Sequence, residues 1–139
     1  MKGVAMLKTL CFLFVFIPSI ALGMDQRQAY QILQKFNHRE VANSDLFRIK
    51  EIAAEDYPRD YITQLYVVRK QVEAYVNIRH YVDRRLTPDV FTRVKAAIAK
   101  NHPDDYRTQY YVLRHRIDWY VKQDKRKQEM VHPFAKDIL

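Results

Sequence analysis

Residues 58–76 read PRDYITQLYVVRKQVEAYV, and residues 103–121 read PDDYRTQYYVLRHRIDWYV. The two segments are identical at ten of nineteen positions, always at an offset of 45 residues, and three further pairs keep the same side-chain character. A constant period of this length is typical of duplicated structural units, including helical repeats of ~40–47 residues. The sequence therefore predicts that one unit occurs twice in the chain.

Each segment has the apolar spacing of an α-helix. Strong helix formers are plentiful, and glycine is absent after residue 23. Proline opens each segment, which suits the first turn of a helix because the N–H there has no partner within the helix. We expect a buried seam in each copy, with apolar residues at steps of four, three, four and three. The seams are Tyr61, Leu65, Val68, Val72 and Tyr75 in the first copy, and Tyr106, Tyr110, Leu113, Ile117 and Tyr120 in the second.

The remaining residues complete two helical hairpins and a cap. Ser44 and Thr87 are predicted helix N-caps, so each hairpin begins with a shorter, more polar helix. Two units are fewer than the ~3 that an open solenoid needs, which favours a compact five-helix bundle over an open stack. We expect one all-α domain at residues 24–121, with a capping helix in 24–43, a first repeat in 44–80 and a second repeat in 87–121, before a basic tail at 122–139.

The first 23 residues have the pattern of a secretory signal peptide. Lys2 and Lys8 supply a positive start, residues 10–17 are continuously apolar, and Ala21 and Gly23 provide small residues before the expected cleavage site. An uncleaved membrane anchor is the alternative, but the apolar run is shorter than the ~20 residues that span a bilayer. We therefore expect an exported, periplasmic or secreted protein whose mature chain has 116 of the 139 residues.

The mature composition excludes several kinds of enzyme. It has no glycine, hence no phosphate-binding loop, and no cysteine, hence no thiol nucleophile, zinc–thiolate site or disulfide. Its one serine, Ser44, has no nucleophile-elbow context. The histidines do not follow the spacing of a metal site, so neither a metal nor a cofactor is predicted. An enzyme with Asp, His and Tyr acid–base groups in a cleft between helices is a minor alternative.

Tyrosines and arginines that both copies share indicate a binding surface. In each copy an arginine follows a tyrosine by one helical turn, so the pair can hold an anionic group while the ring stacks. Trp119 replaces Ala74 in the second copy and is a candidate exposed anchor. We therefore expect a non-enzymatic module that binds or scaffolds a protein or peptide. The candidate binding residues are Tyr66, Arg69, Tyr111, Arg114 and Trp119.

A purely structural role is the alternative for the polar residues that the copies share. An aspartate and a glutamine stand four residues apart at the start of each segment and can hydrogen-bond on one helix face. Such bonds would cap the helices and fix one hairpin against the next. The two pairs are Asp60 with Gln64 and Asp105 with Gln109.

Basic residues suggest a second kind of partner. After residue 23 the chain has 22 Lys and Arg against 16 Asp and Glu, a net charge of +6. Clustered basic side chains on helices can bind anionic polymers, lipid surfaces or cell-wall material. This is the alternative function, whereas a well-solvated surface is the plain explanation, and no specific recognition of nucleic acid is expected. The clustered residues are Arg84, Arg85, Lys122, Lys125, Arg126 and Lys127.

Overall fold

The computed structural model describes residues 23–131, and this range contains six α-helices and no β-strand. The expected all-α fold is confirmed. Within the same range, no helix is long and apolar enough to cross a membrane. The predicted signal peptide, apart from Gly23, lies outside the described residues, as do residues 132–139 of the predicted tail. The helices are α1 (Gln26–Lys35), α2 (Asn43–Asp56), α3 (Tyr61–His80), α4 (Pro88–Asn101), α5 (Tyr106–His115) and α6 (Ile117–Val131).

Aspartates cap α3 and α5 in the same way. The Asp60 carboxylate accepts the Thr63 backbone N–H at 3.1 Å and the Thr63 hydroxyl at 2.6 Å. The Asp105 carboxylate accepts the same two groups of Thr108 at 3.1 and 2.6 Å. Burial would raise the pKa of each aspartate, but these hydrogen bonds outweigh it and hold both pKa values below the ordinary value.

Buried glutamines close the turn that leads into each of these helices. Gln64 Nε2 donates to the Tyr57 backbone oxygen at 2.7 Å, and Gln109 Nε2 donates to the His102 oxygen at 2.8 Å. Each glutamine thus satisfies a carbonyl group at the C-terminal end of the preceding helix, where partners within the helix run out. The expected bonds between these glutamines and the capping aspartates are not formed, because the amide groups point back to the turn.

The helices pack in two hydrophobic clusters. The long helix α3 packs against α1, α2 and α5, and α4 packs against α5 and α6. The aliphatic residues of each predicted seam are buried, and its tyrosines are half-buried except for buried Tyr120. One cluster includes Leu46, Ile49, Ala53, Leu65, Val68 and Val72, and the other includes Val94, Ile98, Val112, Leu113, Ile117 and Tyr120.

The predicted five-helix count is wrong because the helix expected over 103–121 is divided. At Arg116 the backbone has φ −131° and ψ 12°, which leaves the helical range and separates α5 from α6. The last helix then continues to Val131, so the first ten residues of the segment predicted as a basic tail are helical.

The start of α2 differs from the prediction, whereas the start of α4 agrees with it. Ala42 is the N-cap of α2 and makes no side-chain capping bond, so Ser44 lies within the first turn. Thr87 caps α4, and its hydroxyl accepts the Val90 N–H at 3.4 Å.

Candidate functional site

Two glutamines each join one helix to the start of a later helix, from α1 to α3 and from α3 to α5. In α1, Gln26 Oε1 accepts the Tyr61 N–H at 2.7 Å, while its Nε2 donates to the aspartate that caps α3 at 3.2 Å. In α3, Gln71 Oε1 accepts the Arg107 N–H at 3.1 Å, while its Nε2 donates to the aspartate that caps α5 at 3.4 Å. A primary amide has both an acceptor and donors, so one side chain satisfies a free N–H and the cap together.

An alanine and a tyrosine follow each of these glutamines at the same spacing. The ring of Tyr30 lies 4.9 Å from that of Tyr61, and the ring of Tyr75 lies 5.0 Å from that of Tyr106. The alanine before each ring is buried, with exposed fractions of 0% and 5%. Burial raises the pKa of Tyr106 to about 12. We call Gln26, Ala29 and Tyr30 the first docking face, and Gln71, Ala74 and Tyr75 the second docking face.

The same positions occur once more, 45 residues after the second docking face. They hold Arg116, Trp119 and Tyr120, which we call the end face. Tyr120 is buried, and its hydroxyl accepts a hydrogen bond from Asn101 Nδ2 at 3.3 Å. Trp119 is 55% exposed, and its ring lies edge-on to Tyr120 at 4.8 Å. The end face is therefore exposed at Arg116 and Trp119 only, and α6 packs against α4 and α5.

A groove of about 550 Å³ lies between α2, α3 and α5. Tyr57, just after α2, and Tyr111, on α5, are 39% and 53% exposed along it. Ile52 and Val67 supply apolar wall, and the Tyr111 ring also lies 4.7 Å from the ring of His115. We call this feature the Tyr111 groove.

Charged groups line the Tyr111 groove beside its tyrosines. Asp56, Asp104 and Arg107 all contribute to the lining. Asp104 accepts a hydrogen bond from Arg48 Nε at 3.3 Å, which links α2 to the turn before α5. The groove therefore combines apolar and aromatic walls with carboxylates, a mixture that suits a peptide segment with both kinds of side chain.

The predicted binding residues do not share one cleft. Tyr66 is half-buried, whereas Arg69 and Arg114 are exposed. The Arg114 guanidinium lies 5.7 Å from the centre of a tyrosine ring on its own helix. Tyr111 lines the Tyr111 groove, whereas Trp119 lines a separate groove between α4 and α6.

Among the predicted polyanion-binding residues, Arg85 is engaged within the protein. Its guanidinium pairs with Asp83 at 2.6 Å and with Asp118 at 3.2 Å. Asp83 is only 8% exposed, and the hydrogen bond from Arg85 holds the pKa of its carboxyl below the usual value. The other members of this set are exposed, namely Arg84, Lys122, Lys125, Arg126 and Lys127.

Two half-buried lysines have structural partners. Lys50 Nζ donates to the Phe36 backbone oxygen at 2.7 Å, and Lys95 Nζ donates to the Ile78 oxygen at 2.8 Å. Burial lowers the pKa of both lysines. Over residues 23–131, no buried side-chain nitrogen or oxygen lacks a partner, and no three metal-ligating side chains come together.

The duplicated segment at 58–76 does not predict the docking faces, because the first face lies upstream of it. The signal is nevertheless present in the sequence. A shift of 45 residues places Gln26, Ala29 and Tyr30 on identical residue types in α3. The capping helix and the second half of α3 thus share these three residue types at the same spacing.

Comparisons with known proteins identify no relative of this chain. No protein-family model matches this chain, and neither a curated protein nor a solved structure gives a significant match. The geometry of the helices and grooves is thus the basis for inferring function.

Proposed function

We propose that this chain is an exported, non-enzymatic helical repeat protein that binds a protein or peptide partner. The Tyr111 groove carries the proposal, because Tyr57 and Tyr111 leave much of their surface exposed beside a cavity of about 550 Å³. Tyrosine is enriched at interfaces, since its ring provides a large contact area and its hydroxyl can still find a polar partner.

Recurrent contacts support the duplication of a unit of about 45 residues. The two aspartate caps, the two glutamine-closed turns and the two docking faces all occur at that offset. Arg59 and Asp104, also 45 residues apart, have φ values of 67° and 60°. Positive φ at a residue other than glycine is uncommon and costs energy, so its recurrence favours one inherited turn.

The lining of the groove suggests the chemistry of the bound segment. Ile52 and Val67 can cover an apolar side chain, while Asp56 lies where a basic group can approach it. A cation near the exposed tyrosine rings would gain a further favourable interaction. We therefore propose a partner segment in which an apolar residue is followed or preceded by Lys or Arg.

Site-specific photo-crosslinking tests this function. A benzophenone amino acid at residue 111, in the cell that exports the protein, should give a discrete crosslinked species. The matched control is residue 47, because Phe47 is 68% exposed on α2 and does not line the groove. Equal labelling from both residues, or no product from residue 111, would contradict the proposal.

Export is proposed from the sequence of residues 1–23 and needs its own test. N-terminal sequencing of the protein recovered outside the cytoplasm should read from Met24. Recovery only inside the cell, with Met1–Gly23 still attached, would contradict export and leave the binding proposal to be tested separately.

Polyanion binding is a second candidate function. The supporting observation is that α6 exposes four of the predicted basic residues over its last three turns, Lys122, Lys125, Arg126 and Lys127. Binding to heparin or anionic vesicles should weaken steeply as salt is added, because such contacts release counterions and are screened. Absence of binding at low salt would eliminate this candidate.

A further inference from the structure

The end face repeats positions that the chain uses twice to hold the start of a helix. Each docking face contacts a helix that is capped by aspartate and begins with tyrosine. At the shared alanine position, exposure is 0% in the first face and 5% in the second. In the end face this position is Trp119, which is 55% exposed. Arg116 is exposed as well and lies between α5 and α6, whereas Tyr120 is buried. The end face therefore offers two exposed residues at these positions.

Two residues of the end face differ from those of the docking faces, and they change which groups of a partner it can bind. Arg116 stands where the docking faces have glutamine, and a guanidinium donates hydrogen bonds but accepts none. It therefore suits the capping carboxylate of an incoming helix better than the free N–H groups of that helix. Trp119 replaces a small residue by a large ring, which offers an aromatic side chain a contact surface that alanine lacks.

The charge around Trp119 favours an acidic partner. Lys122 and Arg126 follow it at one and two helical turns, and both are exposed. The nearby carboxylates are already neutralised, since Asp118 pairs with an arginine before α4 at 3.2 Å and Asp124 pairs with an arginine of α4 at 3.1 Å. Complementary charge of this kind steers association and selects the partner.

We propose that the end face binds the start of a helix in a partner protein, with an aspartate cap on Arg116 and an aromatic first residue on Trp119. This inference rests on the proposed function and specifies the chemistry of a partner at a second surface. A second copy of this chain is disfavoured, because its own two Asp–Tyr helix starts are already held by the docking faces.

Trp119 is the only tryptophan of the chain, so its fluorescence reports directly on the end face. The probe is an acetylated, helix-stapled peptide with the sequence of residues 103–114, PDDYRTQYYVLR. Titration into the mature protein should shift Trp119 emission to the blue and reduce quenching by acrylamide. A probe with asparagine in place of its capping aspartate, corresponding to Asp105, should bind roughly tenfold more weakly, as expected for loss of a charge-assisted hydrogen bond.

Protein variants identify the residue responsible. Arg116→Ala should weaken probe binding roughly tenfold, whereas the matched control Arg39→Ala, an exposed arginine outside every candidate site, should leave it unchanged. Tyr111→Ala should also leave it unchanged, so failure at the Tyr111 groove and failure at the end face are distinguishable.

Three outcomes would overturn the inference. Trp119 emission that does not respond to the probe at about 1 mM would be one, because that concentration corresponds to a binding free energy of only about −4 kcal/mol. Equal effects of Arg116→Ala and Arg39→Ala would be another. The third is a wild-type dimer in which Trp119 is shielded from acrylamide without the probe, since a second copy would then be the occupant.

Discussion

Two arginines that stand 45 residues apart in the sequence pair with carboxylates in different parts of the fold. Arg48 on α2 pairs at 3.3 Å with Asp104, which belongs to the turn before α5. Arg93 on α4 pairs at 3.1 Å with Asp124 on α6. The first arginine therefore links its helix to a turn, and the second links its helix to another helix.

A similar difference separates the docking faces from the end face. Tyr75 has the ring of Tyr106 as its neighbour, whereas Tyr120 has that of Trp119, which precedes it in the sequence. The first contact joins α3 to α5, whereas the second lies within α6. Local sequence alone does not decide whether such a face is covered, because coverage depends on the segment that comes next.

The largest expected effect comes from removing core volume at one of two equivalent positions. Val68 and Leu113 are 0% and 1% exposed and lie 45 residues apart. Leu113→Ala should lower the free energy of unfolding by about 2–5 kcal/mol, because it leaves a cavity in the second hydrophobic cluster. Val68→Ala removes fewer carbon atoms and should cost less. Urea unfolding followed by circular dichroism measures both changes.

The exposed residue Tyr111 provides the control for this core comparison. Its substitution by alanine should change the free energy of unfolding by no more than about 0.5 kcal/mol, as is usual for surface sites. A loss in Leu113→Ala as small as that in Tyr111→Ala would show that the second hydrophobic cluster does not hold the fold together.

The docking faces and the end face differ in the expected role of their first residue. Gln71→Ala should cost about 1–3 kcal/mol, because it removes one hydrogen bond to the Arg107 N–H and one to the carboxylate that caps α5. Gln26→Ala, at a more exposed site, should cost about 0.5–1.5 kcal/mol. Arg116→Ala should have little effect. Chemical denaturation of the three variants tests the order, and an Arg116 effect equal to that of Gln71 would contradict it.

The helical fold could be predicted because its signals are local. Proline at the first turn, aspartate at the cap and an apolar period of 3.5 residues each act within a few residues. The division at Arg116 could not be predicted in this way, because the apolar steps from Leu113 to Ile117 and Tyr120 continue across it. The absence of a cap at Ser44 is a similar case, since α2 begins at Asn43, two residues earlier than an N-cap at Ser44 would require.

The candidate sites could be predicted only as residue types. The sequence indicates Tyr111 and Trp119 as candidate binding residues, and both side chains are exposed. It does not indicate that they line different grooves, because that depends on how α2 and α4 pack against α5 and α6. Tyr57 is missed altogether, since it lies outside the duplicated segment and only the fold brings it beside Tyr111.

Low pH should destabilise the N-terminal ends of α3 and α5, which the docking faces contact. The pKa of the Asp105 carboxyl is depressed in the folded protein, where burial alone would raise it but hydrogen bonds to Thr108 outweigh that effect. Its carboxylate therefore contributes stability above the unfolded pKa of ~3.9, and this contribution is lost as pH falls through the lower folded pKa. Asp105→Asn should flatten the pH dependence of unfolding below about pH 4.

Asp105→Ala separates charge from capping at the same site. It removes the acceptor as well as the charge and should cost about 1 kcal/mol at neutral pH, in the usual range for an N-cap. Asparagine keeps an acceptor and should cost less. An unchanged acid transition in Asp105→Asn would show that the depressed pKa contributes little to the linkage.

The smallest effects on the free energy of unfolding are expected for Arg48 and Arg93, which stand 45 residues apart. Arg48 and Asp104 have side chains that are 47% and 41% exposed, so Arg48→Ala should cost at most about 0.5 kcal/mol. Arg93 meets a more buried carboxylate, since the Asp124 side chain is 16% exposed, and it also pairs with Asp89. Arg93→Ala should therefore cost more, up to about 1 kcal/mol.

High salt should increase the difference between Arg48→Ala and Arg93→Ala, because ions screen mainly the exposed ion pairs. In 1 M NaCl the effect of Arg48→Ala should disappear, whereas part of the Arg93→Ala effect should persist through its hydrogen bonds to Asp124. Double-mutant cycles with Asp104→Ala and Asp124→Ala isolate each pair. A larger coupling energy for the Arg48–Asp104 pair than for the Arg93–Asp124 pair would contradict the predicted order.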